Sequence, residues 1–181
     1  MVPVDDSITT ERLILRRWIE DDRDPFAEMM ADPEFNRYMP GPFSRSRSNS
    51  MLDQFQTHIE KNGFGIWAVE LKETTQFIGC IGLAIRENLP FSPCVEIGWR
   101  IRPRFWNQGY ATEGALAALD LGLGPLKLGE IVSFTVPENL ASLRVMEKIG
   151  MMRDPEGDFD HPNLEPGHPL RRHVLYRIKR R

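Results

Sequence analysis

The chain has 181 residues, of which 41% are hydrophobic and 27% charged, a balance that suits one globular domain over residues 1–181. The formal net charge of −3 argues against nucleic-acid binding, and the two cysteines form no CxxC pair and no zinc-like cluster with the four histidines. No apolar run approaches the roughly 20 residues that span a bilayer, and the N-terminus lacks a signal-peptide pattern. We therefore expect a cytoplasmic protein without membrane, nucleic-acid or metal partners.

Hydrophobic period and capping residues predict the elements of the first half of the chain. Pro33 ends the first helix, because a proline disfavours the helical conformation in the residue before it. Gly63 ends the second helix, and a polar turn at 72–75 joins two alternating segments into a hairpin. The predicted elements are a strand at 12–18, a helix from Asp21 or Asp22 to near Asp32, an irregular loop at 34–43, a helix at 44–63, and strands at 64–71 and 76–85.

In the second half, strands alternate with helices. The predicted elements are a strand at 94–101, a turn at 102–110, a helix of small residues at 111–123, a strand at 130–136, a helix at 139–149, a brief strand near 151–154, a long polar loop and a last strand at 172–178. One strand, two helices, a meander and then this alternation predict a single α/β (α+β) domain.

The turn at 106–112 has the features of an anion site. The first N–H groups of a helix have no internal partner, and the helix dipole adds partial positive charge there. Gly109 would let the backbone approach the anion closely. A single glycine between a strand and a helix also occurs for packing reasons, so the surrounding residues decide. The sequence contains neither G-x-G-x-x-G after a strand nor G-x-x-x-x-G-K-[ST], which removes NAD- and ATP-type sites.

The run WNQGYATE at 106–113 resembles motif A of the GNAT acetyltransferase superfamily, Q/R-x-x-G-x-G/A, with Trp106 in the place of the leading Gln or Arg. With this tryptophan the run resembles the branch of the ribosomal-protein-alanine N-acetyltransferases, where W-x-x-G-Y-A-T-E is common. TERLILR at 10–16, EIGWRI at 96–101 and NLASLRVMEKIGM at 139–151 resemble the same branch. The resemblance thus covers nearly the whole chain in the expected order.

The resemblance implies an acetyl-CoA-dependent N-acetyltransferase that moves an acetyl group directly to a primary amine. It implies a central mixed, mostly antiparallel twisted sheet of about seven strands with about four helices. In this sheet, parallel strands at 94–101 and 130–136 splay apart and admit the pantetheine arm. The implied cofactor-binding residues are Gln108, Gly109, Tyr110, Ala111 and Thr112 at the pyrophosphate, Trp99 and Ile101 at the pantetheine, and Asn139, Ser142 and Lys148 on the later helix.

The helix that follows Asn139 leaves several alternatives open. Asn139 is either a helix N-cap or a hydrogen-bond partner of the pantetheine amide, as in the family, and both roles are compatible. Ser142 is either an ordinary first-turn residue or a catalytic hydroxyl near the leaving thiolate. Arg144 and Lys148 either meet the 3′-phosphate of the cofactor or are solvated.

Glu96 is the first candidate for the general base, on the strand beside the acetyl group, where alternation gives it one face with Gly98 and Arg100. The alternative is an exposed strand glutamate paired with an arginine. Glu113 is a weaker candidate, because a first-turn acid suits its place near the helix dipole.

Two functions other than catalysis are compatible with parts of the sequence. The lack of an unambiguous base leaves open a non-catalytic acyl-CoA-binding module. The tail RIKRR at 177–181 suggests RNA binding, against which the net charge argues. For an enzyme, the acceptor is a protein N-terminus or a small-molecule amine, in a pocket walled by the loop 34–50, the following helix and the tail 155–170. We expect a monomer or a homodimer.

Overall fold

A single mixed sheet runs through residues 7–180, the part of the chain that the computed structural model describes. Its strands are β1 (Ser7–Thr9), β2 (Leu13–Arg16), β3 (Ile66–Leu71), β4 (Phe77–Arg86), β5 (Cys94–Ile101), β6 (Glu130–Thr135), β7 (Met152–Asp160) and β8 (Arg172–Lys179). The helices are α1 (Arg23–Ala31), α2 (Arg45–Asn62), α3 (Tyr110–Leu123) and α4 (Leu140–Lys148). The strands lie in the order β1-β2-β3-β4-β5-β6-β8-β7, which confirms the predicted α/β class with a mixed, mostly antiparallel sheet.

The helices begin and end where the capping residues of the sequence indicate. The Ser44 hydroxyl accepts a hydrogen bond from the N–H of Arg47 at 3.2 Å and caps α2. Gly63 ends α2 at φ 75°, in the left-handed region that residues with a side chain rarely adopt. α1 likewise ends just before the residue that precedes Pro33.

The chain differs from the prediction at both edges of the sheet. β1 adds an eighth strand to the seven predicted, and its three residues are too few to give a detectable alternation. β7 is nine residues long, so the predicted polar loop is wrong for residues 155–160. Pro155 and Gly157 fit within β7 because it is an edge strand whose register shifts between Asp154 and Phe159.

The parallel neighbours β5 and β6 separate soon after they meet. They share one paired position, Glu96 with Val132, whereas every other adjacent pair of strands is antiparallel. The Ser133 hydroxyl donates a hydrogen bond to the Ile97 carbonyl at 3.0 Å. This geometry confirms the predicted splay, and it leaves the rest of the β6-facing edge of β5 open.

Helices cover both faces of the sheet near this gap. α3 lies close to the sheet because its inner face is built from small residues: a Cβ at Gly114 would come within 2.5 Å of the Ile81 side chain. α2 packs against β3, with the His58 ring bonded to the Phe64 carbonyl at 2.9 Å and to the Ile85 N–H at 3.1 Å. None of the helices within residues 7–180 is long and apolar enough to cross a bilayer.

Alternation along β5 divides its side chains between the two faces. Trp99 lies directly opposite Ile81 of β4, which packs against α3. Arg100, one residue on, therefore faces α2, and its guanidinium lies 5.8 Å from the centroid of the Phe55 ring. Glu96 shares this α2-facing side with Arg100.

Candidate active site

The turn between β5 and α3 carries a row of backbone N–H groups without protein partners. Gly109 adopts φ 84° and begins α3. Within the described residues, the N–H groups of Asn107, Gln108 and Gly109 make no hydrogen bond. The next three N–H groups belong to the first turn of α3, where no intrahelical acceptor exists. These groups and the positive end of the helix dipole favour a phosphate.

A set of side-chain contacts that sequence reasoning missed holds this turn against the start of β2. Glu113 accepts hydrogen bonds from the Thr10 hydroxyl at 2.6 Å and from Nε and N–H of Arg12 at 2.6 and 2.8 Å. Arg12 also donates to the Gln108 carbonyl at 2.9 Å and lies 4.5 Å from the centroid of the Tyr110 ring. Partial burial by itself would raise the pKa of Glu113, but these hydrogen bonds outweigh it and hold that pKa below its ordinary value. The Glu113 carboxylate therefore stabilises the contact between the start of α3 and the residues before β2.

The open edge of β5 offers backbone groups to the gap between β5 and β6. Because the Ile97 carbonyl faces β6, Trp99 and Ile101 present their N–H and C=O groups to the same side. The Trp106 indole donates to the Ile101 carbonyl at 2.6 Å, so that acceptor is already used. No residue of β6 pairs with Trp99 within residues 7–180, and its backbone groups remain available to a ligand.

Asn139 caps α4, which is one of its two predicted roles. Its Oδ1 accepts a hydrogen bond from the N–H of Ser142 at 3.3 Å, and its Nδ2 donates to the Thr135 hydroxyl at 3.0 Å. One Nδ2 hydrogen is left over, so the cap does not exclude a ligand contact. The Ser142 hydroxyl makes no hydrogen bond to the described part of the chain.

A cleft of about 540 Å³ connects these features. The predicted cofactor-binding residues that line it are Trp99, Ile101, Gly109, Tyr110, Ala111, Thr112, Asn139, Ser142 and Lys148, whereas the side chain of Gln108 lies outside. Residues 34–39 form part of the wall, although the loop 34–50 was expected at the acceptor pocket. The exposed cations Arg37, Arg144 and Lys148 line the cleft, and none has a carboxylate within ion-pair distance among the described residues. The cleft therefore suits a ligand that carries phosphates.

A second cavity, of about 820 Å³, lies on the α2 side of β5. Its walls come from α2, the end of β4 and residues of the loop that follows β7. Arg100 lines both cavities, so they meet beside the splay. Gly98, two residues before Arg100, leaves space above the strand: within 4 Å, a Cβ there would meet Oε1 of Glu96 alone, at 3.9 Å. A group in the cleft and a group in the cavity can therefore approach each other beside Arg100, close to Gly98.

Glu96 reaches the second cavity from β5, with a side chain that is 14% exposed. Its Oε2 accepts a hydrogen bond from Nε of Arg86, so the arginine pairing that was the alternative interpretation is present, although the carboxylate is not exposed. Its Oε1 makes no hydrogen bond within residues 7–180 and lies on the Gly98 side. One oxygen is fixed, and the other faces the point where the two cavities meet.

Two histidines pack close to Glu96. The rings of His161 and His173 are 5.1 Å apart and contact Phe134 and Phe159. Burial lowers the pKa of both histidines below the ordinary 6.5, although the nearby Glu96 carboxylate opposes this effect. Both rings are therefore neutral at pH 7, and His161 forms part of the cavity wall.

Acidic residues of the sheet neutralise the basic end of the chain. Arg177 forms ion pairs of 2.6 Å with Glu130 and with Asp154, and Lys179 lies 3.7 Å from Glu130. Arg181 lies outside the described residues. These pairs leave little free charge for the RNA-binding alternative. Within residues 7–180, no group of three His, Cys, Asp or Glu residues could hold a metal ion.

Comparison with known proteins points to one family. Residues 12–152 match the acetyltransferase (GNAT) domain. The chain is 32% identical over 149 residues to the uncharacterized N-acetyltransferase YnaD of Bacillus subtilis, which covers 81% of this chain and 83% of YnaD. The crystal structure of a GNAT-family acetyltransferase from Bacillus anthracis superposes with a TM-score of 0.79 at 29% identity, over 96% of this chain and 98% of that one.

A more distant structure shares the fold. RimL, the ribosomal L7/L12 α-N-protein acetyltransferase solved in complex with coenzyme A, superposes with a TM-score of 0.76 at 14% identity, over 96% of this chain and 97% of RimL. The family match spans most of the chain and includes the turn, the splayed strands and the capped helix α4. The chain therefore belongs to the GNAT family and is an N-acetyltransferase.

Proposed function

We propose that this protein transfers an acetyl group from acetyl-CoA directly to a primary amine that occupies the second cavity. The observation that carries the proposal is the meeting of two cavities at the splay of β5 and β6. One cavity has the free N–H groups and cations that phosphates require, and the other contains a partly buried carboxylate. Such an arrangement brings a donor and an acceptor together from separate entrances, and positioning alone contributes several kcal/mol to a two-substrate reaction.

The residues of the cleft fit acetyl-CoA, which supplies an activated acetyl thioester when bound. The N–H groups from Gln108 to Thr112 would hold the pyrophosphate, with Gly109 allowing close approach. Lys148 and Arg144 would meet the remaining phosphate. The carbonyl of Trp99 would accept a hydrogen bond from a pantetheine amide, and the spare Nδ2 hydrogen of Asn139 would donate to a pantetheine carbonyl.

Side chains of this protein would then manage the protons of the transfer. A primary amine is protonated near pH 7 and must lose a proton before its nitrogen attacks. Oε1 of Glu96 would accept that proton, directly or through a water. As the new C–N bond forms, the N–H of Trp99 would stabilise the negative charge that develops on the acetyl oxygen. As the C–S bond breaks, the hydroxyl of Ser142 would donate its proton to the thiolate and regain one from the nitrogen, directly or through a water, which leaves a neutral amide.

The acceptor is either a protein N-terminus or a small-molecule amine. RimL is an example of the first kind, because its name describes transfer to the α-amine of ribosomal L7/L12. The cavity of about 820 Å³ is large enough for a few residues of a peptide or for one small molecule.

Release of free thiol from acetyl-CoA in the presence of an amine panel tests this proposal. We expect amine-dependent release, and we expect Glu96→Gln to lower kcat by about 10²–10⁴-fold, the usual contribution of a general base. The dissociation constant of acetyl-CoA, measured by calorimetry, should not change. Glu87→Gln is the matched control, since Glu87 is an exposed glutamate on the wall of the same cavity.

Two results would contradict the proposal. Binding of acetyl-CoA without thiol release for any peptide, amino acid, polyamine or simple amine would favour the non-catalytic acyl-CoA-binding module. Equal losses of kcat in Glu96→Gln and Glu87→Gln would remove Glu96 from its role as base.

A further inference from the structure

Arg100 differs from Arg86, the other arginine on the wall of the second cavity, in having no acidic partner among the described residues. Within residues 7–180, no carboxylate lies within ion-pair distance of its guanidinium. By contrast, Arg86 is paired with Glu96, Arg102 with Glu28 and Arg23 with Asp53. The Arg100 side chain is half-buried against the Phe55 ring and the buried Cys80 thiol. A partly desolvated guanidinium without an anion is unfavourable unless a ligand completes its contacts.

The position of Arg100 puts this free cation beside the acceptor. It faces α2 on the same side of β5 as Glu96, and Gly98 between them leaves the strand bare. Residues two apart on one face of a strand are separated by about 7 Å. An amine above Gly98 would therefore lie close to Oε1 of Glu96 on one side and to the guanidinium of Arg100 on the other.

The other charged residues on the wall of the second cavity differ in whether they have an ion-pair partner. Glu96 is paired with Arg86, whereas Asp53 shares Arg23 with Glu20. The wall residues without an ion pair in the described chain are Arg100, Lys61 and the exposed Glu87. Arg100 is therefore the partly buried cation of the wall without an ion pair, and Lys61 is the exposed one.

We propose that Arg100 binds a carboxylate of the acceptor, so that the substrates of this enzyme are amines that carry a carboxylate close to the reacting nitrogen. A guanidinium matches a carboxylate with two parallel N–H···O hydrogen bonds and thereby fixes its orientation. The carboxylate belongs either to a free amino acid or to an acidic side chain near the N-terminus of a peptide. This inference rests on the proposed acetyl transfer and specifies its acceptor.

Pairs of acceptors that differ by one carboxylate test the inference. Phenylalanine would be compared with phenethylamine, leucine with isoamylamine and histidine with histamine. Spermidine would serve as a polyamine acceptor without a carboxylate. Peptides of four residues with Asp or Asn at the second position distinguish the two sources of the carboxylate. We expect kcat/KM to be at least about tenfold higher for the carboxylate member of the preferred pair, in line with one hydrogen-bonded charged group.

Variants at Arg100 distinguish a direct hydrogen-bonded contact with the acceptor carboxylate from a non-specific effect of positive charge in the cavity. Arg100→Met should raise KM for the carboxylate acceptor about tenfold and leave the KM of its partner amine unchanged. Arg100→Lys keeps the charge and loses the paired hydrogen-bond geometry. Its KM for the carboxylate acceptor should therefore lie between those of the wild type and Arg100→Met. Lys61→Met removes the same charge from the exposed rim and should keep the preference. Thermal unfolding followed by circular dichroism checks that each variant is folded.

A binding measurement keeps the test independent of turnover. The affinity of the enzyme–CoA complex for N-acetyl-phenylalanine, N-acetyl-leucine and N-acetyl-histidine would be measured by calorimetry against the N-acetyl derivatives of the matching amines. Tighter binding of a carboxylate product to the wild type and not to Arg100→Met supports the inference even if no acceptor is turned over. Turnover without a carboxylate preference, a preference that survives in Arg100→Met, or an equal loss in Lys61→Met would overturn it and leave the proposed acetyl transfer standing.

Discussion

At the scale of single residues, Glu96 on β5 and Glu113 on α3 have different surroundings. Glu113 accepts three hydrogen bonds, from Thr10 and Arg12, and both of its oxygens are used. Glu96 has one oxygen fixed by Arg86 and the other without a partner in the described chain. The first arrangement holds a loop in place, whereas the second leaves an acceptor for a proton.

We expect Glu113→Gln to lower the free energy of unfolding by about 1–3 kcal/mol, because it weakens hydrogen bonds to a charged acceptor. The pKa of Glu113 in the folded protein is lower than its ordinary 4.5. Its contribution to stability is therefore complete above about pH 4.5 and is lost as the pH falls through the folded-state pKa. Urea unfolding at pH 7 and pH 3.5 should show that the variant and the wild type differ less at the lower pH.

Kinetics of the same variant distinguish a structural role from a catalytic one. Glu113→Gln should keep the wild-type pH profile of kcat. Any loss should appear in the KM of acetyl-CoA, because the turn at 106–112 is less firmly held. A large loss of kcat with unchanged stability would show that Glu113, the weaker candidate of the two, acts as the base.

At the scale of elements, α4 forms part of the wall of the cleft, and its capping residue Asn139 lines the same cleft. Asn139 holds the N–H of Ser142 and the hydroxyl of Thr135. An aspartate at this position could accept from both groups but could not donate to a ligand. The cap and the ligand contact can therefore be separated by substitution.

We expect Asn139→Ala to destabilise the protein by about 1 kcal/mol, the usual value of a helix cap. Asn139→Asp should restore this stability. If Asn139 also donates to the cofactor, both variants should weaken binding of coenzyme A, by about five- to tenfold, the value of one hydrogen bond. Thermal unfolding and calorimetric titration give the two quantities. Wild-type affinity in Asn139→Asp would leave Asn139 with the capping role alone.

Local signals in the sequence were sufficient for most elements and for the position of the turn between β5 and α3. Ser44, Gly63 and Pro33 act on their immediate neighbours, so helix boundaries follow from short stretches of sequence. The contact between Arg12 and Glu113 joins residues 101 positions apart, and no local pattern reveals it. The sequence also could not predict that Arg100 lacks an ion-pair partner among the described residues, because this depends on where the carboxylates of the fold lie.

At the scale of the whole molecule, the sheet consists of two parts joined weakly in the middle. Strands β1 to β5 form one part and β6, β8 and β7 the other, and the β5–β6 junction has a single paired position. A ligand seated in the gap would add hydrogen bonds to the open edge of β5 and contacts to α4. It would therefore link the two parts.

Hydrogen exchange with and without coenzyme A tests this link. We expect the amides of Trp99 and of residues 107–112 to become protected, together with the amides of β6 and β8. A ligand at 100 times its dissociation constant adds about 2.7 kcal/mol to the stability of the state that binds it. The amides of β1 and β2, far from the gap, serve as the internal reference. Protection confined to the turn, with none in β6 and β8, would contradict the link.

The bare surface at Gly98 has a consequence for evolution and for engineering. The φ angle there is not positive, and a Cβ would meet one atom, Oε1 of Glu96, at an ordinary contact distance of 3.9 Å. The fold therefore does not require glycine at this position. A series of Ala, Ser and Val at residue 98 would reduce the clearance between donor and acceptor in graded steps while the sheet stays intact. One codon could thus set the bulk of amine that this scaffold accepts, which makes residue 98 the first position to vary in a search for new acceptors.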